Sequence, residues 1–196
     1  MSDSRQSSPA AGKLRAWLAA GAPEKLILER EDFPEGRIAL PELLACCPWQ
    51  ERMRQRWRSF CAWIGCHTPF VGWKFFWYRH AGVRIGENVR IAPGVIIDFL
   101  FPHLITLEDG AVLGLGAIIV CHVYTPDRVV LAQTAVRKRG WIREQAILAV
   151  AEIGEGGVLA PCGYTVNPIP AGYIGIGVPA VIRPRNAIES GEGRYD

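Results

Sequence analysis

The chain contains 196 residues, carries a formal net charge of +3 and has six cysteines. This length suits one domain with a sizeable core plus an extension, and it argues against two large domains. The basic excess is small and scattered, so we expect no nucleic-acid partner. The cysteines are irregularly spaced and no apolar signal segment precedes them, which predicts free thiols in a cytoplasmic protein.

The N-terminal third is predicted to be a tail followed by helices. Residues 1–12 show no apolar periodicity and are expected to form a mobile tail. Apolar residues at helical spacing predict short helices over residues 13–20 and 41–46.

A longer helix is predicted from Pro48 to about Gly65, because proline suits the first turn of a helix. One face of this helix is apolar and consists of Trp49, Met53, Trp57, Phe60 and Ile64. The other face is polar and carries Arg52, Arg54, Gln55 and Arg58.

Residues 69–78 form an aromatic segment with far more aromatic surface than a loop needs. The simpler interpretation is that the long helix and this segment cap the open end of a repetitive fold, whose terminal coil must be covered. The alternative is a basic and aromatic face that rests on a membrane surface or a lipid substrate. We favour the cap and do not favour peripheral membrane contact. No apolar run reaches the length that spans a bilayer.

Residues 83–184 carry an aliphatic residue at every sixth position, a period that fits neither a helix nor a strand. The repeated positions are Ile85, Ile91, Ile97, Leu107, Leu113, Ile119, Ile147, Ile153 and Leu159. A chain that turns a corner every six residues makes triangular coils of about eighteen residues, and stacked coils bury these side chains in one core. The pattern predicts a left-handed parallel β-helix. The chain is thereby divided into four parts. Residues 1–12 form a tail, residues 13–82 a capping extension, residues 83–184 the β-helix and residues 185–196 a C-terminal tail.

Three irregularities interrupt the period. A bulge is expected over residues 99–104, where ten residues separate two repeats, and a long loop is expected to leave the coils over residues 122–135. Long loops on a rigid scaffold often carry function. The register over residues 141–153 stays open, because either Trp141 and Ile147 or Ile142 and Leu148 hold the inward positions.

Three segments resemble a known family. They are GVRIGENV at residues 82–89, IDFLFP at residues 97–102 and GIGVPAVIRP at residues 175–184. They are similar to the hexapeptide-repeat acyltransferases, especially the maltose, galactoside and nodulation-type O-acetyltransferases. The resemblance covers about half the chain. It implies transfer of an acetyl or related acyl group from coenzyme A to a hydroxyl, or less readily an amine, of a small acceptor such as a sugar or secondary metabolite.

The resemblance implies that His122, where the chain leaves the coils, is the general base. An imidazole titrates near neutrality and can take the proton from an attacking hydroxyl. Asp98 lies a little over one coil earlier, where it could orient the imidazole, hold a substrate hydroxyl or simply cap a turn. Tyr124 is expected to line the acceptor site, whereas Asp127 suits a solvated loop face.

The donor site is expected on the later coils, where the family holds the pantetheine arm of coenzyme A with backbone amides. The matching turn here is Ala160, Pro161 and Cys162, and Pro161 has no amide hydrogen. Arg183 and Arg185 are candidate partners for the nucleotide phosphates. Coenzyme A is therefore expected as the acyl donor.

Two other functions remain as alternatives. The γ-class carbonic anhydrases use three histidines on neighbouring coils, and His103 and His122 lie roughly one coil apart, but no third ligand is evident and no metal is expected. A scaffold without catalysis that binds a partner or membrane is the other alternative, because the donor motif is altered.

The outward positions of the coils predict assembly. Val112, Ile118, Val158 and Tyr164 would form an apolar stripe on a monomer. Apolar patches of this kind usually mark an interface, and closed cyclic symmetry buries a self-complementary side. The resemblance implies a homotrimer with active sites at the subunit boundaries.

Overall fold

The computed structural model describes residues 9–33 and 48–185, and the predicted helix over residues 41–46 lies outside these ranges. The helices in these ranges are α1 (Pro9–Ala19), α2 (Trp49–His67) and α3 (Val71–Ala81), and short 3-10 turns occur at Arg30–Asp32 and Pro102–Leu104. The strands are β1 (Leu26–Glu29), β2 (Arg84–Ile85), β3 (Arg90–Ile91), β4 (Ile96–Ile97), β5 (Ile105–Leu107), β6 (Val112–Leu113), β7 (Ile118–Val120), β8 (His122–Tyr124), β9 (Arg128–Leu131), β10 (Thr134–Val136), β11 (Trp141–Ile142), β12 (Ile147–Ala149), β13 (Glu152–Ile153), β14 (Val158–Leu159), β15 (Tyr164–Thr165), β16 (Tyr173–Gly177) and β17 (Ala180–Pro184).

The strands of the coils form three parallel sheets that the chain visits in turn. Sheet I contains β2, β5, β10 and β13, sheet II contains β3, β6, β11, β14 and β16, and sheet III contains β4, β7, β12 and β15. Each strand pairs in parallel with the strand one coil away. The fold is therefore a parallel β-helix, closed at its C-terminal end by β17, which pairs antiparallel with β16.

The core is a set of columns, one for each sheet, built from the residues that recur every sixth position. The residues aligned by strand pairing are Ile85, Leu107 and Val136 in sheet I, Ile91, Leu113 and Ile142 in sheet II, and Ile97, Ile119 and Leu148 in sheet III. All are buried except Ile85, which is half-buried on the first coil. Full burial of each such side chain contributes roughly 1.5–3 kcal/mol, so the period of six is the period of the core.

The open register is resolved in favour of Ile142 and Leu148. Both side chains are fully buried, whereas Trp141 and Ile147 point outward and are half-buried. The prediction that Ile147 belongs to the core columns was therefore wrong. Only five residues separate Leu148 from Ile153, because the corner between β12 and β13 is shortened at Val150, which adopts a positive φ of 47°.

Both predicted departures from the coils have ordered structure. The bulge after β4 contains the 3-10 turn Pro102–Leu104. The predicted long loop is largely a β-hairpin of β8 and β9, whose other edge pairs antiparallel with β1 from the N-terminal region. The excursion is thus held in a three-stranded antiparallel sheet beside the coils.

The first helix begins earlier than predicted. It starts at Pro9 rather than Lys13, because Ala10 and Ala11 are buried and add one turn to the packed face. None of the helices in residues 9–33 and 48–81 is long and apolar enough to cross a bilayer.

Helix α2 has the opposite orientation to the one expected for a cap. Its apolar face points away from the coils, with Trp49, Trp57 and Trp63 exposed by 65%, 50% and 50%. The residues that it buries are Cys61, Ala62 and Gly65. From the aromatic segment, Tyr78 is fully buried and Phe75 packs against the core, so α3 supplies aromatic contacts with the first coil.

The two helices pack closely at Gly65. A Cβ atom at that position would lie 2.6 Å from the Cε1 atom of Tyr78, so glycine is needed for the approach. The buried ammonium of Lys74 donates to the carbonyls of Gly65 and Cys66 in the last turn of α2, at 3.2 and 3.3 Å. A cation suits the negative end of a helix, and these bonds satisfy its terminal carbonyls.

Candidate active site

Asp98 follows β4 at the edge between sheets III and I, and its carboxylate is completely buried. The Oδ1 atom accepts hydrogen bonds from the amides of Leu100 and Phe101, at 2.7 and 3.0 Å. The Oδ2 atom accepts from the amide of Cys121 at 2.7 Å and lies 2.7 Å from the Nδ1 atom of His122. The sequence left open whether this residue caps a turn, orients an imidazole or holds a substrate hydroxyl, and the structure shows the contacts of the first two.

The imidazole of His122 is fixed by Asp98 and remains partly exposed, with 18% of its side chain accessible. An ionised carboxylate can only accept hydrogen bonds, so Nδ1 carries the hydrogen and Nε2 keeps its lone pair. The ring meets Tyr124 edge-on at 5.5 Å between centroids and Phe101 at 6.2 Å. This arrangement presents a basic nitrogen with a defined orientation.

The ionisation of Asp98 follows from its hydrogen bonds. Burial alone would raise the pKa of the carboxyl, but the hydrogen bond and charge of His122 and the amides of Cys121 and Phe101 together hold it below its ordinary value. Asp98 is therefore a carboxylate at neutral pH.

Cys121 precedes His122 but does not offer a second reactive group. Burial, and then the charge of Asp98, raise the pKa of its thiol well above the usual value. A protonated, buried thiol is a poor nucleophile. Thr134 lies beside it, fully buried, and donates its hydroxyl to the carbonyl of Val120 at 3.1 Å.

The predicted donor turn lies at a different edge from His122, between β14 of sheet II and β15 of sheet III. The amides of Ala160 and Cys162 donate to the carbonyls of Gly175 and Glu144, both at 2.9 Å. With Pro161 lacking an amide hydrogen, the expectation that amides of this turn hold the pantetheine arm does not fit its geometry. The coils use these amides for their own stacking.

Among the donor residues, Pro161 and Cys162 are exposed, and Arg183 lies exposed on β17. Arg185 follows that strand, and its amide donates to the carbonyl of Gly172 at 3.2 Å. One subunit therefore does not bring the expected donor residues next to His122.

His103 and His122 both contact the ring of Phe101, with His103 at 6.3 Å and His122 at 6.2 Å between centroids. The Nδ1 atom of His103 is buried and has no hydrogen-bond partner within residues 9–33 and 48–185. Among the described residues, no group of three histidine, cysteine, aspartate or glutamate side chains is placed to hold a metal ion.

Sequence reasoning missed the bulge residues as parts of this site. Phe101 is fully buried beside the imidazole, and its amide and that of Leu100 hold Asp98. The available signal was the insertion that follows Ile97, because extra residues next to a corner aspartate can fold back to donate amides to it.

The sequence of the chain shows limited similarity to known proteins. No protein-family model matches the chain. A segment of 111 residues, 56% of this chain, is 25% identical to YvoF of Bacillus subtilis, whose name assigns it provisionally to the acetyltransferases. The chain spans 64% of the length of this curated relative.

Solved structures share the architecture at low sequence identity. A hexapeptide-repeat acetyltransferase of Vibrio cholerae superposes with a TM-score of 0.53 at 12% identity, over 70% of this chain and 93% of that chain. The same protein in complex with acetyl coenzyme A gives a TM-score of 0.52 at 12% identity, over 69% and 88%. A maltose O-acetyltransferase of Clostridium difficile gives 0.50 at 12% identity, over 67% and 87%. The chain therefore has the fold found in hexapeptide-repeat acetyltransferases.

Proposed function

We propose that this protein is an acyltransferase that moves an acetyl or related acyl group from coenzyme A to a hydroxyl of a small acceptor. The observation that carries the proposal is the 2.7 Å contact between Asp98 and His122 at the edge where β8 leaves the coils. The fold is proposed to be the left-handed form of the β-helix. YvoF and the structural neighbours carry acetyltransferase names, and one neighbour binds acetyl coenzyme A.

His122 acts as the general base. Its Nε2 atom takes the proton of the acceptor hydroxyl while the hydroxyl oxygen bonds to the acyl carbon of the thioester. The carbon–sulfur bond then breaks, and His122 returns the proton to the departing thiolate. Asp98 keeps the imidazole in the required tautomer and stabilises its protonated form, while backbone donors near the hairpin stabilise the oxyanion.

The acceptor is proposed to lie against Tyr124, which stands edge-on to the imidazole and is 44% exposed. Sugars and secondary metabolites are the proposed acceptors. A maltose O-acetyltransferase is among the structural neighbours, which agrees with a hydroxyl acceptor of this class.

Coenzyme A is proposed to lie along the edge that carries Ala160, Pro161 and Cys162. The carbonyls of Pro161 and Cys162 accept no hydrogen bond from the described residues. Because the amides of this turn are engaged and its carbonyls are not, the pantetheine amides would donate to these carbonyls. Arg183 and Arg185 would pair with the nucleotide phosphates.

The donor edge and His122 lie at opposite sides of sheet III, so a complete site needs two subunits. We therefore propose a homotrimer in which His122 of one subunit faces the donor edge of its neighbour. The cytoplasm is the expected location.

The test is an acyl-transfer assay with acetyl coenzyme A and a panel of hydroxyl and amine acceptors. His122→Ala is expected to lower turnover on the order of a hundredfold or more, because a general base is removed. His67→Ala is the matched control, since its ring is exposed at the end of α2. Wild-type turnover in His122→Ala would refute the catalytic assignment, and failure to bind coenzyme A would favour the scaffold without catalysis.

A further inference from the structure

The hairpin of α2 and α3, which we call the aromatic hairpin (residues 49–81), exposes a large apolar surface. Its exposed side chains, each with 48–66% of its surface accessible, are Trp49, Met53, Trp57, Phe60, Trp63, Phe70, Val71, Trp73 and Phe76. Monomeric proteins rarely expose contiguous apolar patches larger than a few hundred Å². An apolar environment outside the described chain should therefore cover this face.

The arrangement is specific, because α2 turns inward the side that carries Gln55 and Ser59. Ser59 donates its hydroxyl to the carbonyl of Phe99 at 2.6 Å, and the side-chain amide of Gln55 donates to the carbonyl of Leu100. These bonds satisfy the polar side chains inside the molecule, while the small residues Ala62 and Gly65 allow close approach. The apolar face outside makes no contribution to the core.

Charge indicates what covers the aromatic hairpin. Apart from Lys74, which is buried, its basic side chains are Arg52, Arg54, Arg56, Arg58 and Arg79, and Glu51 is its acidic residue. Arg56 and Arg79 are exposed beside the aromatic residues, and the guanidinium of Arg79 lies 5.9 Å from the ring of Phe75. Tryptophan and arginine together suit the boundary of a bilayer with anionic headgroups. A second copy of the same face would oppose like charges.

We propose that the aromatic hairpin docks on an anionic membrane surface. The apolar side chains enter the boundary between headgroups and acyl chains, while Arg56 and Arg79 pair with lipid phosphates. The docked helix is joined through Ser59 and Gln55 to the bulge whose amides hold Asp98. If the proposed function is correct, docking keeps its active site beside the membrane, but the docking itself does not depend on that function.

Sedimentation of the full chain with lipid vesicles tests the proposal. Binding is expected with vesicles that contain phosphatidylglycerol, weaker binding with phosphatidylcholine alone, and partial loss in high salt because the apolar contacts remain. The variant Trp57→Gln/Phe60→Gln/Trp63→Gln should lose binding by on the order of tenfold or more. Leu115→Gln/Val181→Gln is the control, since these apolar residues are exposed on the coils.

The outcomes of this experiment distinguish a membrane from a second copy of the chain as the partner of the aromatic hairpin. Equal binding by the triple variant and the control would overturn the proposal, as would an absence of binding to anionic vesicles. If the triple variant instead changed the mass of the protein in solution without any lipid effect, the face would be an interface between copies. The Asp98→Asn variant should bind vesicles normally, which keeps this test separate from catalysis.

A second, independent observation is a cleft of about 580 Å³ between α1, α2 and the first coils. Its lining includes Arg54, Arg58, Arg84 and His103, together with Glu51. None of these three arginines forms an ion pair with a carboxylate of the described residues. Burial, and then the charge of Arg54, lower the pKa of Arg58, because this guanidinium is partly removed from water and lies near a second positive charge.

We infer that this cleft binds a phosphate group, from either a soluble phosphate compound or a lipid headgroup. Guanidinium groups match phosphate oxygens in geometry, and clustered arginines without acidic partners gain most from such an anion. The inference is separate from coenzyme A, whose proposed edge lies on later coils.

Calorimetric titration with pyrophosphate and with a water-soluble short-chain phosphatidic acid tests the cleft and distinguishes the two sources. At least one probe should give saturable binding that Arg84→Gln weakens by on the order of tenfold. Arg90→Gln is the control, because Arg90 is an exposed arginine on the neighbouring sheet. Equal weakening by the two variants would reveal only general attraction of anions and overturn the inference, as would no saturable binding by either probe.

Discussion

At the scale of single residues, the candidate site depends on one buried carboxylate. Asp98 accepts hydrogen bonds from three backbone amides and contacts His122. The amides fix the carboxylate independently of the imidazole, so the tautomer of His122 is set by the fold rather than by solvent. The proposed catalysis and the local folding of the bulge therefore depend on the same side chain.

Asp98→Asn should lower turnover on the order of a hundredfold to ten-thousandfold with little change in the KM for the donor. An asparagine amide donates toward Nδ1 and favours the tautomer with the hydrogen on Nε2, which removes the base. Steady-state kinetics measure the change, and circular dichroism checks the fold. Asp127→Asn, at the exposed hairpin turn, should remain near wild type; equal losses would show that the effect is general.

His103 provides a residue-scale prediction for stability. Burial, and then the charge of Arg58, lower its pKa from 6.5 to about 4. Between these values the unfolded chain binds more protons than the folded protein, so the free energy of unfolding falls as the pH falls from 6.5 to about 4. The full loss is on the order of 3 kcal/mol.

Urea unfolding at about pH 7 and about pH 4.5 measures most of this loss. His103→Gln should flatten the pH dependence, because the group that titrates has been removed. His67→Gln, an exposed histidine, should keep the wild-type dependence. An unchanged slope in His103→Gln would assign the acid sensitivity to other groups.

At the scale of elements, the aromatic hairpin is ordered by inward contacts that are small or polar. Gly65 permits the approach of Tyr78, and Tyr78 donates its hydroxyl to the carbonyl of Val95 at 2.9 Å. This hydroxyl connects α3 to the first coil. The exposed aromatic face can thus serve binding without being needed for folding.

Gly65→Ala should destabilise the protein by about 1–3 kcal/mol, because the new methyl group would overlap the fully buried ring of Tyr78. Thermal or urea unfolding measures the effect. Gly72→Ala in α3 is the matched control, since a Cβ atom there meets nothing within 4 Å. That control should be neutral or stabilising by up to about 1 kcal/mol, and equal destabilisation of both variants would contradict the overlap.

At the scale of the whole molecule, the predicted apolar stripe is divided between two faces. Val112 and Val158 flank Trp141 on sheet II, whereas Ile118 and Tyr164 flank Ile147 on sheet III. Val158 is already buried in one subunit, and the other three predicted residues are half-buried. The predicted residues therefore lie on two neighbouring sheets and do not form a single stripe, an arrangement that suits a subunit with two contact faces.

Light scattering should give the mass of a trimer. Mixing two variants tests the shared site. The His122→Ala and Arg183→Glu proteins are each expected to be inactive alone. After reassembly in equal amounts they should regain about a quarter of the wild-type activity, because about a quarter of the subunit boundaries then join an intact His122 to an intact donor edge. No recovery despite mixed trimers would place both edges of each site in one subunit. A monomer with full activity would rule out the shared site.

The sequence alone determined the coils, because burying one aliphatic residue per side of each coil is a local, repeated requirement that a period of six records directly. It also located His122 at the departure of β8 and the bulge after Asp98, since interruptions of a regular period are visible in the chain.

Tertiary structure decided the rest. Asp98 meets His122 only because stacking brings residues of different coils together, and two of the three amides that bind Asp98 come from the fold-back of the bulge, which has no periodic signal. The pattern of α2 showed two unlike faces but not which of them points inward. In the structure, the inward side is the one from which Ser59 and Gln55 donate hydrogen bonds to the carbonyls of the bulge. The amides of the donor turn likewise donate to carbonyls of neighbouring coils, and no single segment of sequence encodes such hydrogen bonds.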